Sequence, residues 1–104
     1  MSQRNSSYER LKRDEYFTPE WVTRALVPHI PDWVKTVHEP AAGSGKMASV
    51  LVERRKVWQS DIYPSNNLDG FGDFLTSPII DCHACITNPP YKQAEEFVRH
   101  AVKH

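Results

Sequence analysis

Four consecutive residues, Asn88-Pro89-Pro90-Tyr91, set a side-chain amide, two rigid rings and an aromatic face directly after the apolar run Ala84-Cys85-Ile86-Thr87. That combination suits a flat amino group. The lone pair of an amine attached to a ring or carbonyl is delocalised, so its nitrogen is a poor nucleophile until acceptors take hold of its protons. The Asn88 side-chain oxygen and the Pro89 carbonyl can each accept one N–H, drawing the nitrogen towards a pyramidal geometry. Pro89 and Pro90 stiffen the backbone that carries both acceptors. Tyr91 can stack on an extruded base, a gain of about 1–3 kcal/mol set against a flipping cost of a few kcal/mol. Taken alone, the same four residues are also a proline turn that ends a strand, with Tyr91 as a lid on the core.

A second constellation lies upstream. Glu39-Pro40-Ala41-Ala42-Gly43-Ser44-Gly45 follows a short β-like stretch and opens a helix. Its small residues let backbone N–H groups approach a ligand without side-chain obstruction. A glycine loop by itself is a weak signal, because ordinary turns also need Gly. Asp61 adds to it: it ends the next strand at the separation expected of a carboxylate that accepts hydrogen bonds from ribose hydroxyls. A dinucleotide would call for a third glycine, which Ala48 replaces only in part, and Glu39 would repel a pyrophosphate. S-adenosylmethionine has no phosphate and carries a cationic sulfonium, which Glu39 suits. The two constellations together suggest methyl transfer.

Bulk properties bound the answer. A chain of 104 residues holds one domain near the small end of what buries a self-sufficient core. Its 39% hydrophobic and 25% charged residues are ordinary for a globular protein. Formal charge is zero, yet residues 1–13 carry Arg4, Arg10, Lys12 and Arg13 against Glu9 alone, a basic arm that is solvated or touches nucleic acid. No apolar stretch approaches the roughly 18 residues that cross a bilayer, and the start lacks the apolar core of a signal peptide, so a cytoplasmic protein without membrane contact is expected. Cys82 and Cys85 have no second pair to complete a zinc site and lead into a β-like run. They are expected to be core thiols, with His83 and His38 the extra ligands a metal would need.

The elements that must position these residues follow from periodicity and turn chemistry. Thr18 and Pro19 start a helix over about 19–27 whose apolar positions are Trp21, Val22, Ala25 and Leu26. Pro28 and Pro31 end it, and Trp33 to Glu39 reads as a short buried strand. A second helix over about 46–54 carries Met47, Val50 and Leu51 on one face. A second strand covers 57–62, and a weak third lies near 67–71 in a turn-rich segment. Residues 79–87 contain the last strand, and Ala94, Phe97, Val98, Ala101 and Val102 mark an amphipathic helix over about 92–103. This order predicts an α/β layer structure with parallel strands, with both constellations at the carboxyl ends of strands, where such sheets bind ligands.

These residues resemble the S-adenosylmethionine-dependent amino-methyltransferases, most closely the DNA adenine-N6 enzymes whose cofactor motifs precede the catalytic one. The resemblance covers about residues 16–97. Tyr16-Phe17-Thr18-Pro19 resembles the segment that closes over the methionine end of the cofactor. Glu39, Pro40, Ala41, Gly43 and Gly45 resemble the first cofactor motif, and Asp61, with Ile62 beside it, matches the ribose-binding acid. Asp73-Phe74 resembles the pair at the cofactor adenine, where the carboxylate accepts from the amino group and the ring packs on the base. Asn88, Pro89, Pro90 and Tyr91 match the catalytic motif position by position. That motif is specific for planar nitrogen but not for one substrate, since enzymes for protein glutamine and for ribosomal RNA guanine share it. The upstream Tyr-Phe-Thr-Pro favours DNA adenine.

The resemblance implies a Rossmann-like methyltransferase sheet, truncated after its fourth strand and the following helix. Residues 1–15 form the basic arm and 16–104 a partial domain. Family members continue with strands that complete the sheet and wall the base pocket, so an open edge at 84–87 is expected to pair with a second copy or another chain. Three readings result: an adenine methyltransferase complete only with a partner, a non-catalytic remnant that keeps cofactor affinity, or a dinucleotide-dependent or structural α/β domain.

Overall fold

The computed structural model describes residues 18–63, 68–78 and 80–103. Its elements run α1 (Glu20–Leu26), β1 (Thr36–Glu39), α2 (Lys46–Leu51), β2 (Lys56–Asp61), β3 (Gly70–Phe71), β4 (Ala84–Cys85) and α3 (Ala94–Val102), with 3₁₀ turns at Val27–His29, Phe74–Thr76 and Tyr91–Gln93. All strand pairings are parallel and the order is β3-β2-β1-β4. The chain therefore builds outward from β1 to β3, then returns to the other side of β1. The carboxyl ends of β1 and β4 flank the point where strand order reverses, the usual ligand crevice of an open parallel sheet.

One face of the sheet is dry. Val37 (1% exposed) and Leu51 (1%) pack with Ile30 and Val34, and Val57, Ala84 and Ile86 close the cluster. Burial of each such side chain contributes about 1.5–3 kcal/mol. The other face holds a smaller aromatic group: Phe74 meets Phe97, His100 and His38 at ring separations of 4.9, 4.8 and 5.6 Å. His38 bonds Ser60 Oγ through Nε2 at 2.9 Å, and burial pushes its imidazole below the ordinary value.

Several elements differ from the sequence reading. The first helix turns its expected apolar face outward: Trp21 is 72% and Leu26 39% exposed, while Thr23 is 1%. Residues 23, 27 and 30, running from α1 through the 3₁₀ turn that follows it, form a stripe at i, i+4, i+7 spacing as valid as the expected one; α1 packs against α2, and Val27 and Ile30 join Leu51 in the core. The first strand begins at Thr36, not Trp33. Pro31 forces a turn closed by Val34 N–H donating to the Pro31 carbonyl at 3.0 Å, which leaves Trp33 65% exposed. Helix α2 stops at Leu51, β2 stops at Asp61 and leaves Ile62 exposed, and β4 is two residues long rather than four. The weak strand near 67–71 is Gly70–Phe71. The last helix starts at Ala94 after a 3₁₀ turn, and its Val98 and Val102 face solvent.

The two cysteines are corrected as well: Cys82 is half-buried and Cys85 exposed, outside the buried core. Cys85, in register with His38, lines an open cavity with Phe74 and Ala101 instead of packing against them. Among the described residues β4 pairs with β1 alone. No helix among them is long and apolar enough to cross a membrane.

Candidate functional site

Beyond β1 the chain turns sharply, with Gly45 N–H donating to the Ala42 carbonyl at 2.9 Å. Gly43 (φ 56°) and Gly45 (φ 87°) occupy the left-handed region, where a Cβ is disfavoured, which explains both glycines. The loop is tied to β2 at two points. Ala42 N–H donates to the Ser60 carbonyl at 3.0 Å, and Gly43 N–H donates to Asp61 Oδ2 at 2.9 Å. The other Asp61 oxygen accepts from Tyr63 N–H at 3.1 Å. Asp61, 6% exposed, thus orients the loop from the end of the neighbouring strand.

Glu39 ends β1 with 2% of its surface exposed. Desolvation pushes its carboxyl up to about 8, and the charge of Asp61 adds to the rise; the Thr87 hydroxyl and Ala41 N–H offset only part of it. Neither Glu39 Oε2 nor Thr87 Oγ1 attains hydrogen-bond geometry with any partner among the described residues. A buried carboxyl oxygen without a partner is costly. A cation placed beside it would relieve that cost.

Asn88 reaches the same place from β4. Its Nδ2 donates to Thr18 Oγ1 at 3.0 Å, a contact across 70 residues that joins the start of α1 to the Asn-Pro-Pro-Tyr turn. A small cavity of about 30 Å³ is lined by Thr18, Asn88 and Glu39 together with Ala41, Ala42, Ser44, Lys46 and Met47. The two constellations separated in sequence therefore share one rim and one cavity. Pro90 leads into the 3₁₀ turn, where its carbonyl accepts from Gln93 N–H at 2.9 Å, and Tyr91 stands 87% exposed.

The remaining candidates are spread along the rim. Pro19 precedes α1, its carbonyl accepting from Val22 N–H; Pro40 is buried in the turn after β1. Tyr16 and Phe17 lie outside the described residues, as does the basic arm 1–15. Asp73 Oδ1 accepts from Leu75 N–H at 3.0 Å and so caps its own 3₁₀ turn. Phe74 is 4% exposed, its ring occupied by the aromatic group beneath the sheet. Ala42 and Ser44 line the cavity as members of the expected loop, whereas Lys46, Met47 and Thr87 join the site without having been singled out for it from sequence. Adjacency to the glycine loop was the available signal for Lys46 and Met47. Thr87 had only its place beside Asn88. Among the described residues no group of three or more His, Cys, Asp or Glu could hold a metal.

Comparison of the chain with protein-family models, with curated proteins and with solved structures finds no match.

Proposed function

We propose that this chain is the cofactor-binding and catalytic-motif part of an S-adenosylmethionine-dependent methyltransferase acting on an exocyclic planar amine, with adenine N6 in DNA as the first candidate. The observation that carries this reading is the convergence of Asn88 and Thr18 with Glu39 and the glycine loop on one cavity. The orphaned Glu39 oxygen fits the cationic end of the cofactor. The cavity's volume of about 30 Å³ is far too small for the whole cofactor, so the nucleoside would run outward along the rim past Asp61. A carboxylate offers about four acceptor sites, so bonding the Gly43 and Tyr63 N–H groups leaves the chemistry of ribose recognition intact.

S-adenosylmethionine supplies an electrophilic methyl group on sulfur. The protein's own part is positional. Asn88, held by Thr18, and the Pro89 carbonyl accept the two N–H groups of the substrate amine, which localises its lone pair. Tyr91, fully available at the surface, offers a stacking face to the ring. RNA guanine or a protein glutamine would use the same acceptors.

A second reading, a cofactor-binding remnant without catalysis, is favoured by one observation. Tyr91 is 87% exposed, so the described residues leave its ring uncovered where a bound base would need enclosing. Calorimetry with S-adenosylmethionine and its demethylated product tests the shared premise: heat with neither ligand, on folded protein, would remove both readings. Asp61→Ala is expected to weaken binding about tenfold, because it deletes the carboxylate that fixes Gly43 as well as the ribose acceptor. Unchanged affinity would remove Asp61 from the site.

The open β4 edge should also be completed by a second copy or another chain. Sedimentation velocity across a concentration series is expected to show association; a single monomeric species throughout would contradict it.

A further inference from the structure

At the end of the sheet opposite to Asn88, the residues just before β1, β2 and β4 meet. Lys56 N–H donates to the Lys35 carbonyl at 2.9 Å, and His83 Nδ1 accepts from Lys35 N–H at 2.9 Å. Arg55 Nε donates to the Val34 carbonyl at 2.9 Å, with Nη2 at 3.5 Å from the Ile30 and Pro31 carbonyls. These bonds bring the backbones of Lys35 and Lys56 and the Arg55 guanidinium together beside the Trp33 turn, with Arg54 next in sequence. Trp33 is 65% exposed, yet its ring is held edge-on against His83 at 5.9 Å and 69°. From Asp32, the residue before Trp33, an open groove of about 370 Å³ runs past Arg54, Arg55 and the paired Arg24 and Glu53.

We infer that this amino-terminal rim is a docking site for single-stranded nucleic acid, with a base stacked on Trp33 and phosphates against Lys35, Lys56 and Arg54. A large, oriented, solvent-facing indole among cations is the arrangement that binds a strand without reading its sequence. The carboxylates nearby do not cancel it. Glu53 is taken up by Arg24 at 2.7 Å, which leaves Asp32 and Asp81 against the cluster. Chain charge is zero overall, so the excess of cations here is a local concentration and not a property of the whole surface. The strand β1 separates this rim from the Asn88 rim by about 10 Å of backbone. A strand docked here tethers the protein to nucleic acid without occupying the cavity at Glu39.

Fluorescence anisotropy with a labelled oligothymidylate of about 12 nucleotides at low salt tests this, because thymine has no exocyclic amine for the Asn88 turn. Binding is expected to weaken more than tenfold in the double variant Lys35→Glu/Lys56→Glu, with the salt slope falling by about 0.7 for each phosphate that is no longer neutralised. Trp33→Ala is expected to weaken it about tenfold and Trp33→Phe to retain most of it. All the altered rim side chains are exposed, and an unchanged urea midpoint for the lysine double variant keeps the charge test valid whatever Trp33→Ala does to folding. No binding, or binding indifferent to the charge reversals, would overturn the proposal. So would indifference to Trp33→Ala with equal displacement by polyphosphate. None of these outcomes depends on cofactor binding or methyl transfer, so this proposal and the methyltransferase reading fail separately.

Discussion

Asn88→Ala is expected to lower labelled methyl transfer to duplex DNA by about 10²–10³-fold while calorimetric affinity for S-adenosylmethionine stays within about twofold. The split follows from position. In the proposed reading Asn88 contributes an acceptor to the substrate amine, whereas Glu39, which lines the same cavity, takes the cofactor's cationic end. Removing an acceptor needed only as the amine becomes nucleophilic lowers the rate of chemistry rather than ground-state affinity. Asn88→Ala also deletes the bond to Thr18 Oγ1. Asn88→Asp keeps side-chain size and separates the two effects: folding and cofactor affinity persist if the role is local. Equal transfer rates in Asn88→Ala and wild type would remove Asn88 from the mechanism. A wild-type chain that binds cofactor and transfers nothing, alone or with a partner completing β4, selects the remnant reading.

The second large effect is expected at Glu39. Its carboxyl ordinarily titrates near 4.5 and is pushed up to about 8 by burial. The folded state therefore holds this proton more tightly than the unfolded chain does. The resulting stability is complete below about pH 4.5, declines as pH rises through the interval, and is lost above about pH 8. At one pKa unit per about 1.4 kcal/mol, the swing is on the order of a few kcal/mol.

Glu39→Gln removes the titration and keeps the shape. The variant's melting temperature should vary less between pH 5 and pH 9 than that of the wild type, and at pH 9 it should lie about 10 °C above it. A wild-type profile parallel to the variant's would show that Glu39 is not held protonated. Ligand binding should reveal the same proton. A cation beside Glu39 favours the ionised carboxylate, so S-adenosylmethionine affinity rises with pH up to about 8 and binding releases a proton. Calorimetry in two buffers of different ionisation enthalpy reads that release directly; Glu39→Gln should abolish it and most of the affinity.

How much of this was legible beforehand depended on the range of the interaction concerned. The glycine loop was readable because Gly43 and Gly45 answer a local backbone demand, a positive φ, that few other residues meet. Thr18 was readable as the start of a helix but not as the partner of Asn88, a contact that requires β4 to lie beside β1. Phe74 illustrates the limit. Its motif context implies a ring against adenine, whereas its surroundings of His38, Phe97 and His100 make it the centre of a second core layer.

The sequence by itself determined the order of helices and strands, the parallel architecture, and therefore that residues following β1, β2 and β4 share one rim. Those are consequences of periodicity, turn chemistry and the length of connections, all properties of neighbouring residues. Only the tertiary structure decided which stripe of the first helical segment is buried, that Trp33 stands outside the sheet against His83, and that Glu39 loses its water while its Oε2 gains no partner. Burial and desolvation are sums over atoms brought together from distant parts of the chain, so no local pattern of residue types contains them.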